Sequence, residues 1–263
     1  MITNPTELLH FLRSLGVEPK KGLSQNFLID GNIVRKILFQ ADIQTGDTIL
    51  EIGPGPGALT EALIAQGARV IAVEKDSVYA NALKRFQSVE VYHADILSFD
   101  LSILPKNSKV VSNLPYHLTA PILTLLAPRH DLFSRITVMV QEEVARRITA
   151  SPRTKEYGSL TVFLNFYSEP HYAFKVSRRC FYPQPKVDSA VINLNLKKPP
   201  AVDSEQFFNL VHAAFQHRRK MIKTTLGKIV GEILEQMGEN PQARPEDLSL
   251  EAFLEIYSRS SAG

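Results

Sequence analysis

The segment 49–60, with the sequence ILEIGPGPGALT, constrains the fold more strongly than any other part of the chain. Its apolar run ends in a turn that contains Gly53, Gly55 and Gly57, and a helix pattern starts directly afterwards. Because glycine lacks a Cβ atom, such a turn can adopt positive φ angles and bring backbone N–H groups close to a ligand. The segment therefore predicts a strand, a nucleotide-binding turn and a helix whose N-terminus faces the same crevice.

This turn is compatible with more than one kind of site. The spacing of Gly53, Gly55 and Ala58 fits the dinucleotide fingerprint, and Glu74 follows about 20 residues later, where an acid would hold ribose hydroxyls. A hydride-transfer enzyme that uses NAD is therefore one alternative. The glycines could also serve only a tight turn, although the acid at the end of the next strand favours a nucleotide site.

Strand and helix patterns alternate between residues 48 and 141 and indicate the fold class. Continuous Val, Ile and Leu strands separated by helices predict a parallel sheet covered on both faces, a Rossmann-like α/β fold. After a helix at 142–150, two longer alternating runs predict antiparallel strands at one edge of this sheet. The strands are predicted at Thr48–Ile52, Arg69–Val73, Val89–Tyr92, Lys109–Val111, Arg135–Val140, Leu160–Tyr167 and Val187–Leu196, and the helices at Leu59–Gln66, Ser77–Phe86 and Thr119–Leu126.

Two helices are predicted before the sheet. Asn4 caps the first, Pro5 occupies its first turn, and Gly16 ends it. Asp30 caps the second helix. A polar loop at 19–28 connects the two.

A domain boundary is predicted at Lys197-Lys198-Pro199-Pro200, because a strand cannot continue through two prolines. The chain then divides into a sheet domain, 1–196, and a helical C-terminal domain, 197–263. Apolar residues at helical spacing predict three helices in the second domain, at Glu205–Gln216, Met221–Met237 and Leu248–Tyr257. A basic cluster there either contacts phosphates or is a solvated face, and it consists of Arg218, Arg219, Lys220, Lys223 and Lys228.

Net charge, cysteine content and the pattern of apolar residues indicate which partners and which cellular compartment to expect. The net charge of +3 permits a nucleic-acid partner without requiring one. The single cysteine, Cys180, cannot form an internal disulfide and points to a reducing compartment. The sequence has neither a signal-peptide pattern nor an apolar stretch long enough to span a bilayer, so we expect a cytoplasmic protein.

The tetrapeptide Asn113-Leu114-Pro115-Tyr116 follows the fourth parallel strand and therefore belongs to the same sheet edge as the glycine turn. It suits the methylation of an exocyclic amine, whose lone pair is delocalised into the base and attacks poorly. The Asn113 oxygen and the Leu114 carbonyl could accept the two N–H bonds of that amine, while Tyr116 stacks on the base. A strand-end turn made of Asn, Pro and an aromatic residue is an equal alternative from this tetrapeptide alone.

Taken together, these motifs resemble the class I S-adenosylmethionine-dependent methyltransferases, in the branch that dimethylates adenines in ribosomal RNA. The resemblance includes Glu51-Ile-Gly-Pro-Gly-Pro-Gly, Glu74, Asp95, Asn113-Leu-Pro-Tyr116 and Gln25-Asn26-Phe27-Leu28. The segment Phe181–Ser189 and Phe215-Gln-His-Arg218-Arg219-Lys220 are similar to the small-subunit rRNA adenine dimethyltransferases, the kasugamycin-resistance enzymes. Leu114 is also typical of the rRNA branch, since DNA amino-methyltransferases usually have Pro there.

The resemblance implies S-adenosylmethionine as the cofactor and no metal. Gly53 and Gly55 would supply the turn contacts, Glu74 would hold both ribose hydroxyls, and Asp95 would accept from the adenine amino group. The remaining cofactor contacts that it implies are Gln25, Asn26, Leu28, Lys75, Ile96 and Asn113.

For catalysis, the resemblance implies Asn113, Leu114, Pro115 and Tyr116, with Phe181 facing Tyr116 across the flipped base. Core packing is an alternative role for Phe181. The implied substrate is two adjacent adenines of small-subunit rRNA, each dimethylated, and the implied partner is the small ribosomal subunit, bound by a monomer without membrane or DNA. The RNA contacts would come from Arg178, Arg179, Arg218, Arg219, Lys220 and Lys223.

One departure from the family concerns the loop after Val176. The family often has Pro there, whereas this chain has Ser177-Arg178-Arg179. One rival to the whole interpretation is the large-subunit adenine methyltransferases, against which the Arg218-Arg219-Lys220 motif and the Phe181–Ser189 segment argue. A second rival is a non-enzymatic assembly factor that only binds RNA.

Overall fold

The computed structural model describes residues 2–19 and 25–261, and residues 20–24 of the predicted polar loop lie outside the described residues. The chain forms two compact units. The first comprises Met1–Ala145 and Glu169–Lys197, and the second comprises Arg146–Ser168 and Lys198–Gly263. No helix within 2–19 and 25–261 is long and apolar enough to cross a membrane.

The first unit is built on a seven-stranded sheet in the spatial order β4-β3-β2-β5-β6-β9-β7, and β1 and β8 form a separate antiparallel pair. The strands in chain order are β1 (Phe27–Leu28), β2 (Thr48–Ile52), β3 (Arg69–Glu74), β4 (Val89–His93), β5 (Ser108–Asn113), β6 (Phe133–Gln141), β7 (Ser168–Val176), β8 (Phe181–Tyr182) and β9 (Ser189–Leu196).

The strand directions confirm the predicted α/β class. Strands β2 to β6 pair in parallel, whereas β9 runs antiparallel to β6 and lies between it and the edge strand β7. The central strands are apolar on both faces because helices cover both, and Ile49, Val110 and Val138 are fully buried. The carboxyl ends of β2, β3, β4 and β5 therefore share one edge of the sheet.

The helices of the first unit begin where their caps predict. Asn4 Oδ1 accepts from the Glu7 N–H at 2.9 Å, and Asp30 Oδ1 accepts from the Asn32 N–H at 2.8 Å. Gly16 ends the first helix with a φ of 65°. These helices are α1 (Pro5–Leu15), α2 (Gly31–Ala41), α3 (Ala58–Ala65), α4 (Ser77–Leu83) and α5 (Thr119–Leu126), and α6 (Glu142–Ile148) leads into the second unit.

The second unit is helical, and it includes a segment that the sequence analysis placed in the sheet domain. The antiparallel strand predicted at Leu160–Tyr167 is wrong, because this segment is a helix. Its aromatic side chains pack against α8, with Phe166 stacked on Phe207 at a centroid distance of 5.2 Å. The helices are α7 (Ser159–Tyr167), α8 (Ser204–Gln216), α9 (Ile222–Leu226), α10 (Lys228–Gln236) and α11 (Leu250–Ser261).

The single helix predicted at Met221–Met237 is also wrong. Gly227 divides it into α9 and α10 because its backbone adopts φ 104° and ψ 158°, a conformation that is essentially restricted to glycine.

Candidate active site

A cavity in the first unit opens at the carboxyl edge of β2, β3, β4 and β5, where the glycine turn and the Asn113 tetrapeptide meet. It brings together most of the residues that the sequence analysis assigned to cofactor and substrate. The lining residues are Gln25, Asn26, Phe27, Ile52, Gly53, Gly55, Val73, Glu74, Lys75, Tyr79, Ala94, Asp95, Ile96, Asn113, Leu114, Pro115, Tyr116, His117 and Leu118.

The glycine turn adopts the positive φ angles that its sequence predicts, 62° at Gly53 and 54° at Gly55. A Cβ atom on Gly55 would lie 2.9 Å from Cε1 of Phe27, closer than side-chain atoms can pack. A Cβ atom on Gly53 would meet nothing within 4 Å in the described part of the chain, so this position is open to a ligand. The turn is therefore closely packed at Gly55 and has free space for a ligand at Gly53.

Glu74 anchors the turn from the end of β3. Its carboxylate accepts from the Gly55 N–H at 2.9 Å and from the Asp76 N–H at 2.8 Å. Burial raises the pKa of Glu74, and these backbone hydrogen bonds oppose the rise. Each carboxylate oxygen has a second lone pair, so Glu74 retains the capacity to accept from a pair of hydroxyls.

Asp95 and Lys75 meet at the cavity mouth. Lys75 Nζ lies 2.8 Å from Asp95 Oδ2, and the Leu97 N–H donates to Asp95 Oδ1 at 3.0 Å. The bond to Lys75, followed by the bond to Leu97, lowers the pKa of Asp95. Asp95 is therefore ionised at neutral pH and can accept from an amino group, while the buried side chain of Ile96 supplies an apolar surface beside it.

Like the Tyr79 hydroxyl, Asn113 carries a buried polar atom of the cavity that lacks a hydrogen-bond partner among the described residues. Its Nδ2 donates to the Asn26 carbonyl at 3.2 Å, which fixes the direction of the amide. Its Oδ1 is buried and has no hydrogen-bond partner within 2–19 and 25–261. A buried acceptor without a donor costs about 1–3 kcal/mol, so this oxygen is suited to an N–H donor that a ligand brings.

The rest of the tetrapeptide is held in place on both sides. The Leu114 N–H donates to the Met139 carbonyl at 3.1 Å, which continues the pairing of β5 with β6. The Tyr116 hydroxyl lies 2.7 Å from Ser189 Oγ, and burial raises the pKa of Tyr116. Tyr116 is therefore a neutral, positioned ring on the cavity wall.

Phe181 and Leu28 are not among the residues that line this cavity. They pair with each other across β1 and β8, and both side chains are buried in the hydrophobic core. The structure thus places Phe181 where core packing would, and its stacking role opposite Tyr116 stays a prediction. Leu28 lines a smaller adjacent pocket together with Asn113.

Sequence reasoning missed several residues of the site. Phe27 and Tyr79 form an edge-to-face pair, with ring centroids 5.3 Å apart, on the cavity wall. Glu51 lines the smaller adjacent pocket and not this cavity; it is fully buried and accepts from Thr60 Oγ1 at 2.7 Å, and burial raises its pKa to about 8. Phe27 and Glu51 lie inside the recognised motifs, which was the available signal for them, whereas nothing in the sequence distinguishes Tyr79.

The basic residues assigned to RNA differ in what they contact. Arg218 Nε pairs with Glu246 Oε2 at 2.5 Å inside the second unit, and Arg178 donates to the Lys186 carbonyl at 2.8 Å inside the first. Arg179, Arg219 and Lys220 are exposed, and Lys223 is half-buried. Arg178 is also exposed, but its guanidinium is engaged by the Lys186 carbonyl and lies 4.0 Å from Asp188. Arg179, Arg219 and Lys220 are therefore better suited to phosphate contacts than Arg178 and Arg218.

The sheet order, the glycine turn and the acids at the ends of β3 and β4 define a class I methyltransferase. The site fits S-adenosylmethionine, because open space at Gly53 lies beside two carboxylates and a buried, unpartnered amide oxygen. Among the described residues, no group of His, Cys, Asp and Glu side chains is arranged to hold a metal ion.

Comparisons with known proteins agree with this class. The family model described as "Ribosomal RNA adenine dimethylase" matches residues 17–261, and the chain belongs to this family. It is 54% identical to Ribosomal RNA small subunit methyltransferase A of Protochlamydia amoebophila, over 97% of this chain and 96% of that protein. It is 46% identical to the protein of the same name from Chlamydia trachomatis serovar L2, over 95% of each chain.

Two solved structures are similar over most of the chain. The structure of a dimethyladenosine transferase from Plasmodium falciparum superposes with a TM-score of 0.79 at 25% identity, covering 90% of this chain and 98% of that one. The structure of the 23S rRNA methyltransferase ErmE superposes with a TM-score of 0.71 at 28% identity, covering 89% of this chain and 99% of that one. Family membership decides against the hydride-transfer alternative, and the protein is an S-adenosylmethionine-dependent rRNA methyltransferase.

Proposed function

We propose that this protein transfers methyl groups from S-adenosylmethionine to the N6 amino groups of two adjacent adenines in the 16S rRNA of the small ribosomal subunit, during subunit biogenesis. The observation that carries the proposal is the buried Asn113 Oδ1, which lacks a donor within the described residues and lies beside Tyr116 on the cavity wall. Membership of the adenine dimethylase family supports adenine as the base.

In this proposal, each group of residues in the cavity would hold one part of the cofactor. Gly53 and Gly55, with Gln25 and Asn26, would hold the methionine part of S-adenosylmethionine. Glu74 would accept from both ribose hydroxyls. The adenine amino group would donate to Asp95, with Lys75 and Ile96 beside it. When bound, this cofactor supplies an electrophilic methyl group.

Asn113, Leu114 and Tyr116 would prepare the target amine. The Asn113 oxygen and the Leu114 carbonyl accept its two N–H bonds, which favours a lone pair directed out of the ring system. Tyr116 stacks on the base, and its bond to Ser189 fixes the ring angle. No general base is required, because the cationic product amine releases its proton readily to water.

Exposed basic residues would dock the substrate. Arg179 in the first unit and Arg219 and Lys220 in the second would contact rRNA phosphates of the small subunit. The protein would act as a cytoplasmic monomer without a membrane or DNA partner.

The large-subunit rival remains the nearest alternative, since ErmE shares the fold, but the curated relatives with the higher identities carry the small-subunit name.

The test incubates the protein and S-adenosylmethionine with small subunits from a strain that lacks this modification and, in parallel, with naked rRNA and with large subunits. Mass spectrometry then identifies the modified nucleosides. We expect N6,N6-dimethyladenosine on small subunits and far less on naked RNA. Protein with Asn113→Ala serves as the inactive control, and calorimetry with S-adenosylhomocysteine measures how much of its loss comes from the cofactor contact of Asn113. Methylation at a ring nitrogen, on cytosine, or only on large-subunit RNA would overturn the proposal.

A further inference from the structure

A second concave surface lies in the first unit, at the sheet edge opposite the methylation cavity. This groove has a volume of about 750 Å³ and is bounded by the end of α2, the start of β6 and the end of β9. Its lining residues include Arg35, Phe39, Gln40, Arg135, His171 and Asn195. Arg135 precedes Met139, the residue opposite Asn113, by four positions on β6, about 13 Å along the strand.

Arg135 is held rigidly at the floor of the groove. Its Nε donates to Asn195 Oδ1 at 2.9 Å, and its Nη1 donates to the Gln40 carbonyl at 3.1 Å. Gln40 Oε1 in turn accepts from Asn193 Nδ2 at 3.1 Å, and Asn193 Oδ1 accepts from Thr137 at 2.8 Å. This network orients the guanidinium but neutralises none of its charge, because every partner is neutral.

Arg35 places a second positive charge at the same groove. Its Nη2 donates to Asn32 Oδ1 at 2.6 Å, again a neutral partner. Neither arginine has a salt bridge within 2–19 and 25–261, and Asp42 is the one carboxylate among the described lining residues. Two guanidinium groups without carboxylate partners favour an anionic ligand, and phosphate is the anion that such planar donors bind in a bidentate manner.

Phe39 adds an aromatic surface to these charges. Its side chain is 81% exposed, more than any other large apolar side chain in the described part of the chain. An isolated exposed aromatic ring beside arginines is the arrangement that stacks an unpaired base while its phosphate is held. A protein partner would instead be expected to meet a broader apolar face than one ring.

We propose that this groove binds an unpaired nucleotide of rRNA, with its base on Phe39 and a flanking phosphate on Arg35 and Arg135. The proposal takes RNA as the ligand from the proposed function, and it adds a contact at the opposite sheet edge from the methylated adenines. A bound small ribosomal subunit would then contact the protein at both edges of the sheet.

The test uses the full-length protein and a fluorescent ten-nucleotide oligouridylate that carries one 4-thiouridine. Photo-crosslinking followed by peptide mass spectrometry locates the bound base, and anisotropy gives the affinity over a salt series. We expect a cross-link in the peptide that contains Phe39. The double variant Phe39→Ala/Arg35→Gln should lose this cross-link, bind at least about fivefold more weakly, and show a shallower salt dependence.

Three controls keep the outcomes separate. Ile103→Ala/Lys106→Gln removes a matched exposed apolar residue and cation from the same unit, and should bind the oligonucleotide as tightly as the parent. Phe39→Tyr keeps the ring and should keep the cross-link. Unchanged affinity for S-adenosylhomocysteine reports that the double variant is folded.

Equal oligonucleotide affinity in the double variant, or no cross-link within Gly31–Ala41, would overturn the proposal. Weaker binding of the double variant to small subunits, with no loss of oligonucleotide affinity, would overturn it in favour of a protein partner. None of these measurements depends on methyl transfer, so a failure of the proposed reaction would be recognised separately by the nucleoside analysis.

Discussion

Tyr116 is positioned by its hydroxyl but is proposed to act through its ring, so the two parts can be tested separately. Tyr116→Ala should retain affinity for S-adenosylhomocysteine while single-turnover methylation falls roughly 5- to 150-fold, because stacking contributes about 1–3 kcal/mol per base. Tyr116→Phe loses only the bond to Ser189 and should stay within about tenfold of the parent. An unchanged rate for Tyr116→Ala would exclude the stacking role.

Gly55 tests the cofactor turn. We expect Gly55→Val to abolish binding of S-adenosylhomocysteine in calorimetry, because a branched side chain at φ 54° is strained and its Cβ atom would collide with Phe27. Gly46→Val is the matched control. Gly46 also has a positive φ, 89°, but a Cβ atom there has open space among the described residues, so the strain is similar and the cavity is untouched. Equal binding by both variants would show that the turn is not the cofactor site.

Glu51 makes the stability of the fold depend on pH. Its pKa is raised from 4.5 to about 8, so the native state binds its proton more tightly than the unfolded chain does. The free energy of unfolding should therefore fall as the pH rises from about 4.5 to about 8, by up to about 1.4 kcal/mol per pH unit. Urea unfolding at several pH values should show a flatter dependence for Glu51→Gln. A slope equal to that of the parent would contradict a protonated Glu51 in the native protein.

The sequence predicted the polar rim of the site better than its walls. Glu74 and Asn113 end their strands and Asp95 follows the next one. Parallel strands bring such positions to one edge of the sheet, so their meeting could be inferred from the order of the strands alone. The motif predicts Phe181 at the cavity, whereas its side chain lies in the core, because the direction of a side chain on the short β1–β8 pair depends on register. Register is not visible in a pattern of two residues.

At the level of secondary-structure elements, the strands that are buried on both faces and the helices α8 and α11 were predictable, while α7 and the break between α9 and α10 were not. The segment of α7 is rich in aromatic and β-branched residues and therefore has strand propensity. Its packing against α8 overrides that propensity, since Phe163 and Phe166 both contact Phe208 within about 5 Å of centroid distance. Tertiary burial, not local preference, determines this helix.

Gly227 determines where α9 ends and α10 begins. Gly227→Ala should lower the free energy of unfolding by about 1–3 kcal/mol, because alanine rarely adopts the observed backbone angles. Gly158→Ala is the control within the same unit, since Gly158 has a negative φ and open space for a Cβ atom among the described residues. Thermal unfolding compares the two, and hydrogen exchange over 222–236 locates the effect. An equal effect at both positions would show that the break between α9 and α10 imposes no strain.

For the molecule as a whole, RNA affinity should depend on exposed cations and not on paired ones. Arg219→Gln/Lys220→Gln should weaken binding to small subunits and reduce the slope of log affinity against log salt by about 0.7–0.9 for each phosphate that the variant no longer binds. Lys197→Gln/Lys198→Gln removes the same charge elsewhere and should leave the slope nearly unchanged. Arg218 is unsuitable for this test, because its loss would break the pair with Glu246. If the slope does not change in the first variant, the cluster is a solvated face.

The second unit is assembled from two stretches of chain that Glu169–Lys197 separates. Translation therefore delivers α7 well before α8, the helix that covers it. Until the final segment emerges, Phe163, Phe166 and Tyr167 have no native partner from α8, and an uncovered aromatic surface is prone to aggregation. The nascent chain is thus prone to aggregation between the synthesis of α7 and that of α8, and a message truncated before residue 204 would leave this aromatic surface of the second unit uncovered.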